Sequence, residues 1–111
     1  MDIRVRQVIT LLSQDLSRNV DIKALASSVD LSASRLRHLF KDETGLTPAQ
    51  YLKRLRLERA RELMEGSFLR VKEVMPQLGI TDESHFVRDF KKTHGLPPIK
   101  YRHRTRKIRD S

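Results

Sequence analysis

The side chains able to do chemistry are of few kinds. Four histidines, His38, His85, His94 and His103, lack the i, i+4 pairing of a zinc helix, and no glycine-rich phosphate loop follows a strand. The chain has no cysteine, which removes disulfides, thiolate metal sites and cysteine nucleophiles together. Glu58, Glu62 and Glu65 stand among Arg54, Arg59 and Arg61, a spacing that serves intrahelical ion pairs rather than general acid–base work. This inventory calls for no catalysis, no metal and no cofactor. What remains is cationic: 23 Lys+Arg against 14 Asp+Glu, a formal charge of +9 on 111 residues. Such a surplus favours a polyanion, whether DNA, RNA or an anionic membrane surface, and does not choose among them.

The elements that must carry these charges are helical. Apolar residues make up 38% of the chain and recur at helical spacing, with no alternation long enough for a strand. Val5, Val8, Ile9, Leu12 and Leu16 form the stripe of a first helix that should fray near Asn19. Asp21 caps a short second helix with Ile22, Leu25, Ala26 and Val29. Ser32 caps a third whose inner face is Leu36, Leu39 and Phe40 and whose stop is Gly45. Thr47-Pro48-Ala49-Gln50 is a capping box with proline at the first helical position, opening a central helix that ends at Gly66. A fifth helix around Lys72 to Leu78 and a sixth from Asp82 to about His94 follow, and Pro97-Pro98 opens a last short helix through Tyr101.

Sliding the chain against itself by fifty residues places Ser34 on Ser84, Phe40-Lys41 on Phe90-Lys91, Gly45-Leu46 on Gly95-Leu96, Pro48 on Pro98 and Tyr51 on Tyr101. Two copies of one supersecondary unit follow, too few for a solenoid. Each is a short helix, a turn and a second helix, the pattern whose second helix enters the DNA major groove. Residues 22–44 make the first and 72–94 the second. The central helix, about 18 residues from Pro48 to Glu65, spans roughly 27 Å, against about 34 Å for one turn of B-DNA. A rod of that length suits two second helices in successive major grooves. The chain is thus expected to be all-α, with two homeodomain-like helix-turn-helix subdomains (1–46 and 67–104), a long central linker helix (47–66), about seven helices in all, and a basic, disordered tail (105–111).

The runs LASSVDLSASRLRHLFKDETGLTPAQYLKRLRLERARELM and ITDESHFVRDFKKTHGLPPIKYR resemble the two halves of the AraC/XylS family DNA-binding domain. The resemblance covers about residues 5–102. Its most specific parts are Ser32, Leu36, Phe40-Lys41, Gly45 and Tyr51, then Gly79, Phe86, Arg88, Phe90-Lys91, Gly95, Pro98 and Tyr101-Arg102. It implies a bacterial transcription regulator, usually an activator, that binds double-stranded promoter DNA with both units and touches RNA polymerase. Members often carry an effector or dimerisation domain, so this chain reads as the output fragment of a longer cytoplasmic protein.

With Leu36, Leu39 and Phe40 inward, Ala33, Ser34, Arg37, His38 and Lys41 lie outside; with Phe86 and Phe90 inward, Glu83, Ser84, Val87, Arg88 and Lys91 do. The family's base-reading positions fall within these sets, on Ser34, Arg37 and His38 and on Glu83, Ser84, Val87 and Arg88. Arg37 and Arg88 suit bidentate contact with guanine, and Val87 suits a thymine methyl. Glu83 either accepts from cytosine or is a solvated charge at a helix start. Ser34 and Ser84 either reach bases or bond locally to the backbone. Lys41, Lys91, Lys92 and Arg102 are the expected phosphate anchors, while Arg104, Arg106, Lys107 and Arg109 of the tail add nonspecific attraction.

Three residues depart from the family pattern. Met75-Pro76 stands where an alanine and a polar residue are usual, and Ile80 replaces an aromatic. Proline inside a helix costs about 3 kcal/mol, so the fifth helix is expected to kink or begin late. The second unit is then expected to be more loosely anchored and to discriminate less. Two alternatives to DNA reading are a protein-interaction module and an anionic-membrane-surface module. The membrane reading conflicts with use of the central helix's apolar face as shared core. RNA is disfavoured because the six aromatic residues fall at core positions.

Overall fold

The computed structural model describes residues 1–110 and the side chains of residues 1–109. Among these residues there are seven helices and no strand: α1 (Ile3–Gln14), α2 (Ile22–Ser28), α3 (Ala33–Thr44), α4 (Pro48–Gly66), α5 (Val71–Gln77), α6 (Glu83–His94) and α7 (Pro98–Asp110). They form two compact units, Met1–Leu55 and Arg56 onward. The division falls inside α4, whereas the sequence reading sets 47–66 apart. Among the described residues no helix is long and apolar enough to cross a membrane.

In the first unit each helix starts on a side chain that accepts an otherwise unbonded amide. The Asp2 carboxylate accepts from the Arg4 N–H at 2.8 Å, Asp21 from Ala24 at 3.2 Å, and the Ser32 hydroxyl from Arg35 at 3.1 Å. Thr47 and Gln50 bond reciprocally at 3.0 and 3.2 Å to open α4. Val5, Val8 and Leu12 of α1 pack with Ala26, Val29, Leu36 and Phe40 in one core. Burial of each Val, Leu or Phe side chain stabilises by about 1.5–3 kcal/mol. The Phe40 ring also meets Tyr51 edge-on at 5.4 Å, the geometry its quadrupole favours. Helix α1 ends earlier than its apolar stripe suggests. The Asp15 carboxylate accepts the Ser17 N–H at 3.0 Å, a local bond that competes with helix continuation, so Leu16 lies beyond the helix.

The second unit buries Leu57, Ala60 and Met64 of α4, Val74 and Met75 of α5, Leu78, and Phe86 and Phe90 of α6. Phe90 is ringed by Phe86 at 5.9 Å, His94 at 4.6 Å and Tyr101 at 5.4 Å. Asp82 caps α6 by accepting the His85 N–H at 3.0 Å.

The internal repeat changes register within the turn. Helices α3 and α6 are offset by fifty residues, α2 and α5 by forty-nine. The shared turn bond runs from Leu31 N–H to the Ala26 carbonyl (2.9 Å) and from Ile80 N–H to the Met75 carbonyl (3.0 Å). The left-handed residue is Asp30 (φ +59) in one turn and Gly79 (φ +64) in the other. The second turn therefore holds one more residue ahead of its N-cap.

Pro76 does not delay α5, which starts at Val71 and runs through the proline to Gln77. The Glu73 carboxylate accepts the Arg70 backbone N–H at 3.0 Å at its start. The ring lies in the last turn, so it removes one bond, to the Lys72 carbonyl, and leaves little helix beyond it to bend. The expected short last helix is also corrected: α7 continues to Asp110, so residues 105–110 of the expected disordered tail are helical, and Ser111 lies outside the described residues.

Candidate nucleic-acid interface

The outward faces of α3 and α6 are built alike. Ser34, Arg37, His38 and Lys41 stand at i, i+3, i+4 and i+7 on α3, all exposed, and Ser84, Val87, Arg88 and Lys91 repeat the spacing on α6, with only Val87 half-buried. Residues so spaced share one helix face. Behind them Leu36, Phe40, Phe86 and Phe90 are buried, which fixes the rotation of each helix and aims the quartet outward. Each helix stops at a left-handed glycine, Gly45 (φ +79) and Gly95 (φ +90).

Apart from His38, the polar side chains of these two quartets are uncommitted among the described residues. Among the described residues, Arg37, Lys41, Arg88, Lys91 and Lys92 pair with no carboxylate, in contrast to Arg59 with Glu62 and Arg61 with Glu58 and Glu65 on α4. The hydroxyls of Ser34 and Ser84 make no internal hydrogen bond there, whereas those of Ser13, Ser28 and Ser67 donate to carbonyls of Ile9, Leu25 and Leu63. Local backbone bonding is thus absent at Ser34 and Ser84. His38 is oriented by its own helix, Nδ1 lying 2.8 Å from the Ser34 carbonyl. A carbonyl only accepts, so Nδ1 carries the proton and Nε2 faces outward, an acceptor in the neutral ring. Glu83 sits exposed in the first turn of α6, where the helix dipole favours an anion. Lys92 is exposed on the flank of α6 beside the quartet.

Arg102 is not a surface anchor. It is 7% exposed; its Nε donates to the Met64 carbonyl at 2.9 Å and its Nη2 to the Leu69 carbonyl at 2.6 Å. The guanidinium closes the end of α4 and the segment after it, and burial holds its pKa below the usual arginine value. Arg106 completes this clamp, donating to the Ser67 carbonyl at 2.7 Å and stacking 4.3 Å over the exposed Phe68 ring. Next to it the Tyr101 hydroxyl donates to the Glu65 carboxylate, which also accepts from Arg61. These donors hold the Glu65 carboxyl below its ordinary value, and burial raises the Tyr101 phenol. Sequence reasoning missed this structural arginine because its partners lie 38 and 33 residues away; the one available signal was Leu52, a buried apolar residue at the equivalent place of the first unit.

Residues 25–104 match the family model of the helix-turn-helix domain. The HTH-type transcriptional activator RhaR of Enterobacter sp. (strain 638) is 33% identical over 101 residues, covering 91% of this chain and 36% of that protein. The arabinose operon regulatory protein of Escherichia coli (strain K12) is 34% identical over 103 residues, covering 92% and 35%. The chain thus spans little more than a third of each of these two relatives. Among solved structures, the DNA-binding domain of AdpA, a global transcriptional factor in complex with a target DNA, superposes with a TM-score of 0.85 at 26% identity, over 96% of both chains. With a repeated, capped helix pair and a match over most of its length, the chain belongs to the helix-turn-helix domain family, as a DNA-binding domain of the AraC/XylS type.

Proposed function

We propose that the chain is the DNA-reading part of a bacterial transcription activator, acting in the cytoplasm on double-stranded promoter DNA. In this reading α3 and α6 each enter a major groove. Arg37 and Arg88 take guanine, His38 offers an acceptor through Nε2, Ser34 and Ser84 reach base edges, Glu83 accepts from cytosine N4, and Val87 meets a thymine methyl. Lys41, Lys91 and Lys92 hold phosphates. The observation that carries the proposal is the pair of equally spaced quartets, exposed but for half-buried Val87, whose lysines, arginines and hydroxyls have no internal partner among the described residues, on a fold shared with a domain solved on its target DNA. Contact with RNA polymerase, in keeping with the activator role printed for a relative, and an effector or dimerisation domain outside these 111 residues, in keeping with the greater length of the relatives, belong to the same proposal.

Equilibrium binding to a selected duplex and to its scrambled counterpart, at fixed salt, tests the reading. The expected result is a preference of 10³-fold or more, on the order typical of specific sites. Equal affinity for both duplexes would overturn it.

A further inference from the structure

Helix α7 does more than close the core. Its inward side is occupied: Pro98 and Arg102 are buried, and Tyr101, Thr105 and Arg106 are half-buried. Its outward side carries Lys100, His103, Arg104 and Lys107, all exposed, at i, i+3, i+4 and i+7. They form one stripe about 10 Å long at 1.5 Å per residue. From Pro98 to Arg109 the helix contains no carboxylate at all, and none of the four is in an ion pair among the described residues. Like charges at this spacing repel one another. On α4 the same problem is met by pairing, Arg59 with Glu62 and Arg61 with Glu58 and Glu65.

The helix dipole accounts for Lys107, in the last turn, where cations are favoured. It disfavours Lys100, in the first. The place of Lys100 is informative in another way: it lines one apolar groove together with Glu83 and Val87 of α6 and Arg70 and Lys72 at the start of α5. The stripe therefore begins beside the proposed base-reading face of α6. The fifty-residue repeat supplies a contrast, since Gln50 stands where Lys100 does and buried Leu57 where Lys107 does, with only Lys53 and Arg54 matching His103 and Arg104.

We infer that Lys100, Arg104 and Lys107 form a phosphate-tracking rail on α7, continuing from the groove edge of α6, so that the second unit supplies more salt-dependent affinity than the first. The inference rests on the DNA-reading proposal above and deepens it. Charge supports the asymmetry: the first unit has nine Lys+Arg against six Asp+Glu, and the chain from Arg56 has 14 against eight, a net +3 and +6. A rail of this kind adds affinity for any duplex and no preference among sequences.

The test uses the whole chain with Lys100, Arg104 and Lys107 all changed to Gln, its helicity checked by circular dichroism, on the selected and scrambled duplexes from 50 to 200 mM salt. Each lost phosphate contact lowers the slope of log K against log salt by about 0.9. Three contacts make the wild-type advantage shrink about fortyfold across that range, with the ratio of specific to scrambled binding unchanged. A folded variant with the wild-type slope would overturn the rail while leaving DNA reading intact. A variant that loses the specific ratio instead would place these residues among base contacts and also overturn it. Failure of the wild-type chain to prefer its selected duplex would remove the underlying reading itself.

Discussion

The Arg102 guanidinium donates through Nε to the Met64 carbonyl at 2.9 Å, in the position where the first unit buries Leu52. One half of the repeat closes its core with a hydrocarbon, the other with a buried cation that bonds the end of α4. A buried cation is retained only where its donors are satisfied, and here the Leu69 carbonyl takes a second N–H at 2.6 Å.

Arg102→Ala leaves those carbonyls without a donor and opens a void. Stability should fall by about 2–4 kcal/mol, the cost of losing two charge-assisted bonds, one buried and one partly buried. Urea denaturation measures it. A fully stable variant with weakened DNA binding would contradict the structural role and return Arg102 to the phosphate contacts.

Glu65 should make the second unit sensitive to acid. The Tyr101 hydroxyl and Arg61 lower its folded pKa, so its contribution is fully present above the unfolded carboxylate value, near 4.3, and is lost as pH falls through the folded value. Tyr101→Phe removes the larger of the two causes and should cost about 1.5–3 kcal/mol at pH 7. The difference between variant and wild type should narrow as pH drops below about 4. Denaturation series at pH 7 and pH 3 check both parts; a constant difference would rule out the Glu65 linkage.

Gly45→Ala and Gly95→Ala isolate backbone conformation, because an added Cβ meets no atom within 4 Å at either site. The left-handed φ alone should cost about 1–2 kcal/mol in each. Thermal unfolding of the two variants should show similar losses, and a negligible loss would mean the helix ends relax out of the left-handed region.

The caps and stops were legible because they are local. Asp21, Ser32 and the Thr47–Gln50 pair bond amides within three residues, so residue type and spacing determine them. The outward quartets followed from the same periodicity, since Leu36, Phe40, Phe86 and Phe90 had to face inward. Arg102 was illegible because its acceptors are remote in the chain. The length of α7 was illegible for another reason: Ile99 and Ile108 are exposed, so no apolar stripe marks it. Bonds from Thr105 to the Tyr101 carbonyl and from Arg106 to Ser67 sit along it instead. Pro76 misled because a proline tolerated in a final turn looks the same in sequence as one that breaks a helix.

Arg37→Ala and Arg88→Ala should each lose about 1–3 kcal/mol on a guanine-containing site and relax preference at one base position only. Lys41→Gln and Lys91→Gln should weaken all duplexes alike and lower the salt slope by about 0.9 each. Base-substitution scans with each variant separate the two behaviours. A uniform loss on Arg37→Ala would move that residue to the phosphate set.

The central claim is that both second helices read DNA. Selection of bound duplexes from a random pool, at fixed salt, tests it most directly. Two conserved blocks, one lost with Arg37→Ala and the other with Arg88→Ala, are the predicted result. A single short block, insensitive to one of the two substitutions, would contradict paired reading.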